Sequence, residues 1–227
     1  MFKQLPTNSD EFKSWPWPKI APYYEELQER PLTNKTIHQW LADWSQLSQL
    51  LAEKAARLRV ATTQDTNDAA AEANMNHYLD EIFPHVEVAE NKLKARLLAS
   101  GLEPNGLEIP LRNMKVDAEL FNQENISIFS WLIKRSQNYN RIISSQSVSW
   151  QGEEITLTQL ASKIEDPDRK LRERGWRLMA ERRLEDREAL NDLWADLLPK
   201  RQSVAQNAGF PNHRAYIWQE KKRFDYT

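Results

Sequence analysis

The residues best suited to metal chemistry in this chain are its four histidines, His38, His77, His85 and His213. An H-E-x-x-H motif would put two imidazoles one helical turn apart, with the glutamate poised as a general base. None of the four is followed by Glu, and none has a second His four residues on. The motif is therefore absent from the 227 residues. His77, Glu81 and His85 stand at i, i+4, i+8, which would line three potential ligands along one drifting helix face. Pro84 distorts that geometry, and Asp80 and Glu81 suit a solvated helix equally well. A metal needs three or four converging ligands, so the solvated reading is preferred. With no cysteine there can be no thiolate nucleophile, disulfide or Cys-ligated zinc. The five glycines, at 101, 106, 152, 175 and 209, form no phosphate-binding fingerprint, and no G-x-S-x-G elbow occurs.

The charged clusters read as surface. Arg169, Lys170, Arg172, Arg174, Arg177, Arg182, Arg183 and Arg187 fall within one short stretch, a pattern that would fit nucleic acid. Acids interleave with them: Asp168 precedes Arg172 by four residues, Glu173 precedes Arg177, and Arg182 precedes Asp186. Such pairs stabilise an exposed helix by about 0.2–0.5 kcal/mol each and largely cancel the local charge. Glu153-Glu154 and Asp186 with Glu188 could do acid–base work only in a pocket that shifts a pKa, and the sequence builds none around them. No catalytic, cofactor-binding or metal residue is assigned.

The elements that carry these residues are helices. Gly is scarce, so positive-φ turns are few. The composition is globular: 28% charged, 40% hydrophobic, with nine Trp, seven Phe and six Tyr to bury. A net charge of −2 gives no bulk attraction to nucleic acid or acidic lipid. No run approaches the ~18 apolar residues of a membrane span, and Met1–Pro6 has no signal-like apolar region, so a cytoplasmic location is expected. Ser14-Trp15-Pro16-Trp17-Pro18 reads as an extended arm, followed by a short helix from about Tyr23 to Arg30. Ile37, Trp40, Leu41, Trp44, Leu47, Leu51, Ala55 and Leu58 mark a long amphipathic helix, with Thr33 or Asn34 as its cap. Ala71, Met75, Tyr78, Leu79, Ile82, Val86, Leu93 and Leu97 mark another, which Pro84 kinks or splits and Ser100-Gly101 ends.

Residues 103–110 read as a loop, and a third helix is expected from about Asp117 to Arg135 or on toward Ser144. Val148, Trp150 and Ile155 around Gln151-Gly152 predict a β-hairpin. Thr158 is the expected cap of a helix to Ile164, and Asp166-Pro167 the start of one to about Arg183. Gly175 inside it points to close helix packing. A helix with Leu190, Leu193, Trp194, Leu197 and Val204 follows, kinked at Pro199, then a last one from Pro211 to about Lys222. Trp40, Trp44 and Trp194 are expected in the core.

An ordered series of segments carries a family resemblance. Trp150-Gln151-Gly152-Glu153-Glu154-Ile155-Thr156-Leu157 resembles the W-x-G-E-E-x-T-x stretch of the oligoendopeptidase F family. So do Asp168-Arg169, Arg172-Glu173-Arg174-Gly175-Trp176-Arg177 and Glu181–Arg187. Leu193-Trp194, Asn207-Ala208-Gly209-Phe210 and Arg223–Thr227 continue the register, as do Val60–Thr66 and Asp117–Phe121 upstream. Gly175, in place of an expected Ala, and His213, in place of Tyr or a similar ring, depart from the pattern.

The resemblance implies a mainly α fold: a multi-helix N-terminal lobe with one short β-hairpin near residues 147–157. It implies an N-terminal helical subdomain with the Pro/Trp-rich arm at 1–112, a helical domain of the oligopeptidase F type at 113–203, and the start of a truncated peptidase domain at 204–227. Complete members are cytosolic zinc peptidases that cleave short peptides, with the metal on H-E-x-x-H and a downstream Glu. This chain matches none of those positions, so no cofactor is assigned to it. Its expected partner is a C-terminal catalytic half. Neither nucleic acid nor membrane is expected. The final aromatics Trp218, Phe224 and Tyr226 are expected to need partners outside the chain. The alternative is a non-catalytic helical interaction module.

Overall fold

The computed structural model describes Phe2, Leu5, Pro6 and residues 8–226. Among the described residues eleven helices and one hairpin follow in chain order: α1 (Ser9–Lys13), α2 (Trp17–Glu29), α3 (Ile37–Gln64), α4 (Ala69–Glu81), α5 (Phe83–Ala99), α6 (Glu108–Leu120), α7 (Glu124–Ser144), β1 (Ser147–Trp150), β2 (Glu153–Thr156), α8 (Leu157–Lys163), α9 (Arg169–Glu185), α10 (Arg187–Asn207) and α11 (His213–Glu220). The fold is the mainly α lobe with one hairpin that the sequence predicts.

Three apolar cores hold it. The largest joins α1 to α5 through fully buried Phe12, Ile20, Leu27, Trp40, Leu47 and Leu93. Every residue of the predicted stripe from Ala71 to Leu97 is buried. Pro84 does split that stripe: α4 ends at Glu81 and α5 starts at Phe83, with Pro84 in its first turn, where its missing N–H costs nothing. A second core packs the hairpin on α8 and α9 through Val148, Trp150, Leu160 and Met179. Its strands pair Val148 with Ile155 and Trp150 with Glu153. Gln151 and Gly152 both take positive φ, 56° and 92°, as a tight two-residue hairpin demands. Gly175 lets α9 approach: a Cβ there would stand 3.3 Å from Ile164 Cγ1 and 3.7 Å from the Trp150 ring. A third core joins α6, α10 and α11 through Leu120, Val204, Ala205 and Tyr216.

Several local expectations are corrected. The arm is shorter than predicted. Only Trp15 and Pro16 are extended, while Trp17 and Pro18 open α2, because Pro in a first turn sacrifices no hydrogen bond. The cap of α3 is Thr36, whose hydroxyl instead bonds the Thr33 amide and the Pro31 carbonyl. The expected loop at 108–110 is the first turn of α6, which again tolerates Pro110. The expected single helix from Asp117 breaks at Phe121–Gln123, where Asn122 Oδ1 accepts from the Glu124 amide. Thr156, not Thr158, caps α8 in a reciprocal box with Gln159. Asp168, not Asp166, caps α9. Trp194 is 54% exposed: Leu193 and Leu197 take the buried stripe of α10, and Trp194 lies about 100° round from it, against the Arg201 guanidinium. The last aromatics find partners within the chain. Trp218 meets Tyr226 edge-on at 5.4 Å, and the Arg112 guanidinium lies 4.4 Å from the Phe224 ring centre.

Candidate functional site

The polar heart of the lobe lies where α5 meets α2, α3, α6 and α11. Val86, Ala89, Leu93 and Leu97 of α5 turn to the core. Glu87, Glu90 and Lys94 lie beside that stripe at i, i+3, i+7, so the fold brings them to one edge of the helix. Glu90 accepts three hydrogen bonds: from the Tyr24 hydroxyl at 2.6 Å, the Trp44 indole at 2.9 Å and the Ser48 hydroxyl at 3.0 Å. It thereby ties α2 and α3 to α5. Burial drives the Tyr24 hydroxyl far above the ordinary tyrosine range, and the Glu90 charge adds to the effect.

Glu87 sits one turn earlier, and among the described residues no side chain donates a hydrogen bond to it. Burial holds its carboxyl above the usual range. Lys94 pulls it back, while Glu90 and Asp117 push it further up. Asp117 of α6 accepts from Lys94 at 3.4 Å and pairs with Lys222 just past α11. Tyr216 of α11 closes the group, its hydroxyl pushed up to about 12 by burial and then by Glu220, Asp117 and Glu87. These residues border a cavity of about 260 Å³, and Glu90, Lys94 and Asp117 also border a groove of about 570 Å³ between α3, α5 and α6. A carboxyl with a raised pKa can hold a proton. Among the described residues around Glu87 stand carboxylates, a lysine and tyrosines, and Asp117 is held in ion pairs with Lys94 and Lys222. The arrangement locks helices together through charged hydrogen bonds.

The carboxylates singled out in the sequence lie elsewhere. Glu154 accepts from the Ser147 hydroxyl across the hairpin. Asp186 is held by Gln146 at 2.8 Å and Arg182 at 2.7 Å, and Gln146 leads in keeping its carboxyl below the usual range. Glu188 is exposed and lies 3.9 Å from Arg187. Of the three predicted helix pairs, Glu173–Arg177 and Arg182–Asp186 form. Arg172 turns instead to the carbonyls of Asp166 and Pro167, because it lies under the cap of its own helix. Glu87, Glu90 and Asp117 belong to no sequence motif that would single them out. The available signal was two acids and a lysine at helical spacing beside a buried stripe.

The histidines are not brought together. His38 is on α3, His77 on α4 and His213 on α11, and His85, past the α4–α5 bend, lies flat on Trp17 at 5.1 Å. Among the described residues no three His, Asp or Glu side chains converge as a metal would require. The described residues therefore do not assemble a zinc site.

A model of the peptidase M3 N-terminal domain matches residues 9–121. The chain carries an M3 peptidase N-terminal domain. The matched part of the M3 lobe is α1 to α6, which contains the largest core and the Glu87–Glu90 edge. Among solved structures, the whole chain matches PZ peptidase A with a bound inhibitor at a TM-score of 0.82 and 20% identity, over 41% of that chain. It matches a protein described as an oligoendopeptidase F from Bacillus anthracis str. Ames at 0.77 and 18%, also over 41%. A further structure described as oligoendopeptidase F gives 0.81 and 18%, over 40%. At such identities the likeness is one of fold. The chain thus spans about two-fifths of the solved structures it resembles. No curated protein matches it in sequence. Among the described residues of the M3 lobe, no helix is long and apolar enough to cross a membrane.

Proposed function

We propose that this chain is the N-terminal lobe of a zinc-dependent oligoendopeptidase of short peptides, and that it hydrolyses nothing by itself. The observation that carries the proposal is the match of the whole chain to about two-fifths of two structures described as oligoendopeptidase F. The M3 domain match over residues 9–121 supports it independently. In this reading the zinc and its H-E-x-x-H motif belong to a catalytic half, in the same or another polypeptide. The lobe walls one side of the substrate cleft and keeps folded proteins out by size. Its rigidity comes from Glu90, which pins three helices, and from Asp117 with its two lysines. The division at 112 and 203 belongs to the same proposal, with the peptidase domain opening near Val204. So does a cytoplasmic location.

The test is complementation. The chain, the C-terminal part of an M3 oligoendopeptidase, and the two co-expressed are each assayed on a quenched fluorescent peptide, with and without a zinc chelator. Only the co-expressed pair cleaves, and the chelator abolishes cleavage. Chelator-sensitive cleavage by the 227 residues alone refutes the proposal.

A further inference from the structure

Two grooves meet on the face formed by the ends of α3 and α7, by α8 and α9, and by the start of α10. The smaller, about 460 Å³, runs along α9. Trp176, Ala180 and Leu184 stand there at i, i+4, i+8, with Trp176 60% and Leu184 63% exposed. The larger, about 820 Å³, has apolar walls from Ile143, Leu157 and Ala161 and polar ones from Thr66, Asn140 and Thr158. Arg183 and Leu190 line both, so a guanidinium stands at the junction. Arg187 adds a second at the rim of the smaller groove.

Among the described residues the charged side chains that line the two grooves are Arg183 and Arg187. The chain holds 33 Asp and Glu, yet among the described residues none lines either groove. The nearby acids are engaged elsewhere: Glu185 and Asp186 pair with Arg182, and Glu188 lies against Arg187. Among the described residues Arg183 forms no ion pair. A free guanidinium between apolar walls matches a carboxylate, which it can grip through two parallel hydrogen bonds. The exposed indole and leucine favour apolar side chains on either side of that carboxylate. Hydroxyls and amides in the larger groove can pair with the N–H and C=O groups of an extended chain.

We propose that this double groove binds an extended acidic peptide segment, one carboxylate on Arg183 and apolar side chains on the Trp176–Leu184 stripe and the Ile143–Leu157 wall. Nucleic acid fits less well, because two arginines on a protein of net charge −2 make a poor phosphate track. A symmetric second copy would set Arg183 and Arg187 against their own kind. The proposal needs no hydrolysis and no catalytic half, so it can fail while complementation succeeds, and the reverse.

The test uses the full chain and two end-blocked heptapeptides that differ only at the centre, Ala-Leu-Leu-Glu-Leu-Ala-Ala and its Gln counterpart, in titration calorimetry. The Glu peptide binds tighter by about ten-fold, a margin that shrinks with added salt. Arg183→Gln removes the margin, Arg183→Lys keeps part of it, and Trp176→Ala weakens both peptides alike. Arg183 is exposed and unpaired, so unchanged circular dichroism and melting temperature accompany its substitution. Equal affinity for the two peptides overturns the proposal. So does a margin that survives Arg183→Gln, an oligothymidylate that displaces the Glu peptide, or loss of binding to self-association seen in sedimentation.

Discussion

Replacing Lys54 by Met removes a pH dependence of stability that the wild-type chain shows between pH 7 and 9.5. Lys54 lies on α3 with 5% of its surface exposed, and its ammonium donates to the Trp15 carbonyl at 2.6 Å, pinning the α1–α2 joint. Burial pulls its pKa from 10.5 down to about 8. Such a group opposes folding while both states carry the charge, and that cost fades as pH rises from the folded pKa toward the unfolded one. At pH 7 the cost is about 3 kcal/mol, the shift converted at 1.36 kcal/mol per unit. By pH 9.5 it falls to about 1 kcal/mol, so the wild type gains about 2 kcal/mol relative to the variant. Tyr24, Tyr78 and Tyr216, whose hydroxyls titrate above the ordinary tyrosine range, work the opposite way as pH nears 10. They do so in both proteins, so the difference between the two carries the number. Met keeps the unbranched shape and loses the hydrogen bond, worth roughly 1.5–3 kcal/mol to a charged donor. At pH 7 the variant therefore matches the wild type or exceeds it slightly. Urea unfolding followed by tryptophan fluorescence at half-unit pH steps measures both. Parallel pH profiles for the two proteins would refute the reasoning.

Glu90→Ala strips the acceptor from Tyr24, Trp44 and Ser48 and costs about 2–4 kcal/mol in urea unfolding, while Glu90→Gln, which keeps one oxygen, costs less. Glu87→Gln removes a half-buried charge and stabilises the chain by on the order of 1 kcal/mol at pH 7. A raised carboxyl favours the fold only while it stays protonated, so the gain shrinks as pH falls toward the unfolded value, and an equal gain at pH 4 contradicts the assignment. Gly175→Leu drives a side chain into Ile164, Leu160 and the Trp150 ring and lowers stability by about 2 kcal/mol or more. Gly175→Ala stays within about 1 kcal/mol of wild type, because helix propensity offsets the 3.3 Å approach, and both shifts are read from thermal melts.

Helical spacing exposed the long elements because their apolar stripes are regular and their buried faces large. The stripe from Ile37 to Leu58 and that from Ala71 to Leu97 became α3, α4 and α5, and Gln151-Gly152 became the hairpin turn. What stayed hidden was local competition among equally good signals. Thr156 and Thr158 are both cap-type residues at the start of the apolar run, and only Thr156 has Gln159 at the third helical position to answer it, which leaves Thr158 inside α8. Asp166 and Asp168 both flank Pro167, and Asp168 wins because its side chain reaches the Lys170 amide while its own amide is taken by Asp166. Proline misled in the same way at Pro18 and Pro110, which sit in first turns where a missing N–H is harmless.

The site was hidden for a different reason. Glu87 and Glu90 differ from any exposed helix acid only through residues far along the chain: Tyr24, 66 positions before Glu90, and Trp44, 46 before it. Helix periodicity can place a carboxylate beside a buried stripe, but which distant donor closes on it depends on how α2 and α3 dock. That dependence makes Glu90 a sensor of docking. Loosening α2 against α5 frees the Tyr24 hydroxyl and lowers its pKa toward the ordinary value, while the helix content barely moves. Ultraviolet titration of tyrosine in Leu27→Ala, which hollows the α2 side of the core, reads this directly: one more tyrosine titrates near pH 10 than in the wild type, at nearly unchanged circular dichroism. An unchanged tyrosine count in a folded Leu27→Ala variant would mean that Glu90 and its donors hold α2 without help from the apolar core.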